Sequence, residues 1–240
     1  MFKNIKILVF TATYNEKLNI KSLVEQIRKS SPKSTIFIVD DNSPDGTSKI
    51  IKKLQKKHKK IILNVRKKKF GLDSAHKIGY EYAKQNKFDF LITMDADLSH
   101  NPKDLPRFIK YLKTYPFVLG SRYIPGGKCL MHGKRLLISK IGNFLIKTFS
   151  GIKSNEYTTS YRGFNIKKLK SFHLNQVQTN GYSFFMGTIF RLHNLNIFIK
   201  EIPITFRDRK KGVSKIPKFE ILRTLKNLIL FLLNKIKMVP

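Results

Sequence analysis

Phe88-Asp89-Phe90-Leu91-Ile92-Thr93-Met94-Asp95-Ala96-Asp97-Leu98-Ser99-His100 is a short apolar run that stops at two carboxylates. It lacks the polar alternation of a half-exposed strand, so it reads as a strand buried on both faces. Similar runs cover 5–10, 35–39, 61–65 and 117–120. Between them the apolar spacing predicts helices over 18–29, 46–57, 72–85 and 103–113, with Asp45 before the second and Pro102 opening the fourth. Repeated strand–helix–strand units imply an α/β fold with a mostly parallel, doubly wound central sheet. In such sheets ligands sit beyond the carboxyl ends of the strands.

The second half reads differently. Gly126-Gly127 marks a loop, 134–149 an amphipathic helix, 182–194 a further helix and 197–206 an extended segment. The end, 216–237, is helical and rich in Leu, Ile and Phe. Its longest wholly apolar stretch runs only from Leu228 to Leu233, whereas spanning a bilayer takes roughly 20 mostly apolar residues. An interfacial helix or an ordinary core helix both fit that pattern. No internal repeat or interdomain linker is visible, and the start shows no secretory-signal pattern.

Composition narrows the classes. A 240-residue chain that is 41% hydrophobic can bury a real core, and with Cys129 as its only cysteine it forms no internal disulfide. The 48 basic residues against 15 acidic give a formal net charge of +33, a field that attracts polyanions such as nucleic acid, anionic lipid or phosphorylated substrates. The basic residues are spread through every segment without an RRM, zinc-finger or helix-turn-helix signature, so nucleic acid is not the expected partner.

Against that background the aspartate clusters stand out. Val39-Asp40-Asp41-Asn42-Ser43-Pro44-Asp45-Gly46-Thr47 and Asp95-Ala96-Asp97 each follow a predicted strand. Adjacent carboxylates repel unless a cation or donor groups offset them. Asp95 and Asp97 supply the oxygen ligands of a hard divalent ion, Mg2+ or Mn2+, bridging to a diphosphate. An EF-hand loop starting at Asp41 fails because its twelfth position is Lys52. The six histidines show no metal-ligand spacing, and there is no Gly-x-Ser-x-Gly elbow.

Together with Thr11-Ala12-Thr13-Tyr14-Asn15-Glu16, Gly71-Leu72-Asp73-Ser74-Ala75, Gly120-Ser121-Arg122-Tyr123, Lys134-Arg135-Leu136-Leu137-Ile138-Ser139, Thr158-Thr159-Ser160-Tyr161-Arg162, Asp208-Arg209 and Gly212-Val213-Ser214-Lys215, these motifs resemble the dolichyl- and polyprenyl-phosphate mannosyltransferases of glycosyltransferase family 2. The resemblance implies a GT-A, Rossmann-like fold with C-terminal amphipathic helices, residues 1–215 forming the catalytic domain and 216–240 a membrane-associating helix. It implies inverting transfer of mannose from GDP-mannose to a polyprenyl phosphate, peripherally at the cytoplasmic side of an anionic membrane; UDP-glucose is the alternative donor.

Carried over by position, Ala12, Tyr14, Glu16, Val39, Asp41, Asp95, Ala96 and Asp97 hold the donor, with Arg122, Arg209 and Lys215. Asp95, Asp97 and Ser99 address the metal. Arg122, Arg135, Ser139 and Arg209 meet the acceptor phosphate, and Asp97, Arg122, Arg135 and Arg209 carry the chemistry. A phosphate monoester is already anionic, its second pKa being about 6, so it needs cationic positioning rather than a general base. The family usually has proline at Ala12, glycine at Asn42 and Asp73, and an acidic residue near Gly187; Asn42 is the mild departure because asparagine tolerates positive φ.

Overall fold

The computed structural model describes residues 5–181, 183–209, 223, 226–230 and 233, with only the backbone of Lys134. The chain begins with β1 (Ile7–Thr13), α1 (Ile20–Ser30), β2 (Thr35–Asp40), α2 (Thr47–Lys57) and β3 (Ile61–Val65). These strands step outward in one direction, each parallel to the last. α3 (Leu72–Gln85) then carries the chain back across the sheet, so that β4 (Phe90–Thr93) pairs with the other side of β1. The strand order therefore reverses between β1 and β4, which opens a crevice at their carboxyl ends.

A 3-10 turn at Pro102–Asp104 leads into α4 (Leu105–Leu112), β5 (Phe117–Ser121), β6 (Lys128–Leu130), α5 (Gly133–Ser150), β7 (Arg162–Asn165), α6 (Ser183–Asn194), β8 (Ile199–Pro203) and β9 (Thr205–Arg207). The main sheet has seven strands in the order β3-β2-β1-β4-β7-β5-β8, and β6 and β9 form a separate pair. Side chains alternate across each strand. Leu8 and Phe10 of β1 join the core with α3 and α6, while Ile7 and Val9 join the core with α1, α2 and α4. Each fully buried Leu, Ile or Phe contributes roughly 1.5–3 kcal/mol.

Two features depart from the sequence pattern. β7 is antiparallel to both β4 and β5 although its sequence is Arg-Gly-Phe-Asn. Arg162 is tolerated inside the sheet because Nε donates to the Thr159 carbonyl at 2.8 Å and Nη2 to the Tyr157 carbonyl at 3.0 Å. Burial nevertheless pulls its pKa down to about 9. The extended segment at 197–206 breaks at Ile204, with β8 on the main sheet and β9 paired to β6. Pro203, which has no N–H for a ladder bond, ends β8. Most of the helix expected at 216–237 lies outside the described residues; those described at 223 and 226–230 are helical.

Candidate active site

At the β1/β4 crevice lies a cavity of about 540 Å3. Its walls come from the carboxyl end of β1 (Ala12, Thr13, Tyr14, Glu16), from Asp41 after β2, from 69–73, from Asp95-Ala96-Asp97 after β4, and from Asn180, Gly181, Arg209 and Arg223. Residues far apart in sequence meet here because parallel strands all end on one side.

The β1/β2 end is braced by short local bonds. Asp40 accepts from the Thr13 hydroxyl at 2.7 Å and from the Ser43 N–H at 2.9 Å. Asp45 accepts from the Thr47 N–H at 2.9 Å, which starts α2 one residue before its Gly46 cap. Asn42 takes φ 54°, the left-handed conformation its side chain tolerates. Asp41, nearly buried, is bound by the Arg66 guanidinium and accepts from the Gly71 N–H at 3.2 Å. Arg66 also donates to the Gly71 carbonyl at 2.8 Å, fixing the loop that lines the cavity. Above it, the Lys69 ammonium lies 4.5 Å from the centre of the Tyr14 ring.

The β4 end holds the paired carboxylates. Asp95 accepts from the Ser160 hydroxyl at 2.5 Å, and its backbone N–H donates to Nδ1 of His100 at 3.1 Å. Burial pushes the Asp95 carboxyl up, with the Asp97 charge adding to it and His100, Ser160 and Arg209 opposing. Burial likewise lowers the pKa of His100. The neutral ring accepts at Nδ1, so Nε2 carries the proton and donates to the Thr159 hydroxyl at 3.2 Å. Asp97 accepts from the Ser99 N–H at 3.0 Å and pairs with Arg209, Nη2 to Oδ2, at 3.0 Å. Leu98 between them has φ 65°, backbone strain of the kind found at functional sites.

Residues 8–172 match the family described as Glycosyl transferase family 2. The chain belongs to glycosyl transferase family 2. Among its relatives, the undecaprenyl-phosphate mannosyltransferase of Micrococcus luteus is 33% identical over 211 residues, covering 88% of this chain and 87% of that protein. The polyprenol monophosphomannose synthase of Mycolicibacterium smegmatis is also 33% identical, over 87% of this chain and 80% of its own length. In fold, the chain matches glucosyl-3-phosphoglycerate synthase from Mycobacterium tuberculosis, solved with Mn2+, UDP and phosphoglyceric acid. The TM-score is 0.69 over 98% of this chain and 79% of that one, at 15% identity. It also matches mannosyltransferase PcManGT from Pyrobaculum calidifontis, in complex with GDP-Man and Mn2+, with TM-score 0.60 over 99% of this chain and 73% of that one, at 16% identity. These likenesses establish the GT-A fold.

Within this glycosyltransferase the expected site residues fall into two groups. Ala12, Tyr14, Glu16, Asp41, Asp95, Ala96, Asp97 and Arg209 all line the cavity. Val39 does not, because its side chain is buried in the sheet core. Ser99 is also buried, and reaches Asp97 through its backbone N–H. Arg122 is turned inward: Nε and Nη2 donate to the Glu156 carboxylate at 2.6 and 2.7 Å, and Nη2 also donates to the Thr158 hydroxyl at 2.7 Å. Burial opposes ionisation of Glu156, but Arg122 and the bonds from Thr158 outweigh it and hold the carboxyl below the usual range. Arg135, half exposed, pairs with Asp208 at 2.8 Å, and the Ser139 hydroxyl contacts that of Tyr123 at 2.7 Å. Lys215 lies outside the described residues.

Arg66, Glu156 and the His100–Thr159 link were missed as site-shaping groups. Glu156 carried a usable signal, being one of only 15 acidic residues in the chain.

Proposed function

We propose that this enzyme transfers mannose from GDP-mannose to a polyprenyl monophosphate, with inversion and with Mg2+ or Mn2+, while resting peripherally on the anionic cytoplasmic face of a membrane. The observation that carries the reading is the pair Asp95 and Asp97 in one cavity with Asp41 and Glu16, in a chain 33% identical to two polyprenyl-phosphate mannose-forming proteins.

The residues fit a divalent ion. Both carboxylates line the cavity, the donors are oxygen, and the guanidinium at Asp97 marks a place where positive charge is already favourable. Among the described residues no cluster of three or more His, Cys, Asp or Glu stands ready to hold an ion. A diphosphate supplying the remaining oxygens agrees with that two-carboxylate set. When bound, the ion supplies charge stabilisation for the departing nucleoside diphosphate. Asp41 and Glu16 orient the nucleoside, and Arg209 binds the phosphates it faces. A phosphate oxygen of the acceptor forms the new bond to the anomeric carbon as the bond from that carbon to the diphosphate oxygen breaks. GDP leaves with the bonding pair. No protein base is needed because the nucleophile is already ionised.

Arg135 and Asp208 place a second cation beside the Asp208-Arg209 strand end, on the side where α5 begins. α5 exposes Leu137, Ile138, Ile141, Phe144, Leu145 and Phe149, with Arg135, Lys140 and Lys147 also exposed. An apolar face flanked by cations suits the surface of an anionic bilayer carrying the lipid acceptor. Among the described residues no helix is long and apolar enough to cross a membrane.

The test is to incubate the purified enzyme with GDP-mannose, a polyprenyl monophosphate and Mn2+, and to seek the mannosyl phospholipid by mass. The one-bond coupling between its anomeric carbon and proton, which separates β- from α-mannosides, reports inversion. Product from UDP-glucose alone overturns the donor, and mannose transfer that does not depend on the added polyprenyl monophosphate overturns the acceptor.

A further inference from the structure

The cavity wall at 179–181 is held in place from two directions. Oδ1 of Asp73, in the first turn of α3, accepts from the N–H of Gly181 at 3.1 Å, a bond that bridges 108 positions of sequence. Gly181 takes φ 64° to make that turn. On the other side the segment packs directly onto α6. A Cβ added to Gly187 would come within 2.1 Å of the Thr179 hydroxyl and 3.1 Å of Val177. Among the described residues Thr179 Oγ1 is buried and finds no hydrogen-bond partner. Such a group costs stability, and the fold bears that cost where it seats the following residue, Asn180, in the cavity wall.

The rest of the lining divides by chemistry. Strand ends β1 and β2 with the 69–73 loop form the wall assigned to the nucleoside, and Asp95 with Asp97 take the diphosphate. Asn180 and Gly181 remain as the uncharged polar wall. Asn180 offers a carbonyl acceptor and an amide donor, the pair that reads vicinal hydroxyls of a sugar. Resting on the proposed function, we infer that Asn180 is a specificity-determining residue for the transferred hexose. Asp73 and the missing side chain at Gly187 are the positioning features that hold it there.

The experiment measures Kd for GDP, GDP-mannose and UDP-glucose by calorimetry with Mn2+, alongside kcat/KM for whichever donor is used. Asn180→Ala, at an exposed side chain, should lower kcat/KM by about tenfold, the loss expected for one or two neutral hydrogen bonds, while Kd for GDP changes less than twofold. Asp73→Asn keeps a carbonyl acceptor for Gly181 and should lose less than Asp73→Ala, which should reproduce the Asn180→Ala loss. Gly187→Ala should do so as well. An Asn180→Ala enzyme with unchanged kcat/KM overturns the assignment. So does equal weakening of GDP and GDP-mannose, which places the contact on the nucleotide. Should the wild type use UDP-glucose instead, the donor reading falls while the Asn180→Ala loss on UDP-glucose still supports the residue's role.

Discussion

Replacing Glu156 by alanine removes the carboxylate that holds Arg122. In the native protein that carboxylate accepts two bonds from the guanidinium and backbone bonds from Thr158 and Thr159 at 3.0 and 3.2 Å. The side chains of the pair are 5% and 0% exposed, so neither group exchanges its partner for water. Breaking one side of such a buried pair costs about 3–5 kcal/mol, because the other charge stays buried alone. For a domain of this size each kcal/mol shifts Tm by roughly 2–4 °C, so Glu156→Ala should melt about 6–20 °C lower. The double variant Arg122→Met with Glu156→Leu should recover most of that loss, since two apolar groups leave no orphaned charge. Urea unfolding of the wild type and the two variants measures this directly, and a Glu156→Ala loss below about 1 kcal/mol would refute the buried-pair account. The double variant also tests the role implied for Arg122 by resemblance. If Arg122 only braces the fold, the double variant keeps its transfer rate; if it contacts phosphate, the variant is stable and inactive.

Glu156 has a folded-state pKa below its ordinary value. Its stabilisation is therefore present above the unfolded value of about 4.3 and is lost as pH falls through the folded one. The stability gap between wild type and the double variant should accordingly close in acid, as measured by urea titrations from pH 7 downward. Asp97→Ala should lower kcat/KM about 100-fold or more; near-normal turnover in Mg2+ or Mn2+ buffer contradicts a ligand role. Arg209→Gln removes the cation that faces Asp97, so Mn2+ should bind more tightly without nucleotide, seen as loss of the free-ion signal in electron paramagnetic resonance; unchanged affinity counts against competition at that carboxylate. Leu137→Asp with Phe144→Asp on α5 takes two exposed apolar groups, each worth roughly 1.5–3 kcal/mol if buried, out of the proposed lipid contact. Flotation with anionic vesicles should fall at least about tenfold, and equal flotation would remove α5 as the docking face.

The parallel half of the sheet was legible because each strand carries its own signal. Runs at 35–39 and 61–65 became β2 and β3, and the predicted 72–85 helix is α3 as observed. The strand-end carboxylates were equally legible, since Asp95 stands where the apolar run at 88–94 stops. β7 was not, because its stability comes from what Arg162 finds in the 157–159 segment, a tertiary fact. Arg122 shows the same limit. A sequence motif places an arginine near a phosphate, but whether it points to the cavity or to Glu156 depends on a carboxylate 34 positions away. The Asp73–Gly181 bond spans still more chain, and no local pattern announces it.

The reversal of strand order has a consequence for how the molecule matures. β1 lies between β2 and β4, so while residues up to β3 can assemble by successive neighbours, one flank of β1 stays unpaired until β4 arrives. An unpaired strand invites pairing with other chains. The crevice, whose two banks are the ends of β1 and β4, comes into being only when that flank closes. A fragment ending before residue 90 thus lacks both the carboxylate pair and the partner that shields its central strand, and should be aggregation-prone and unable to hold nucleotide.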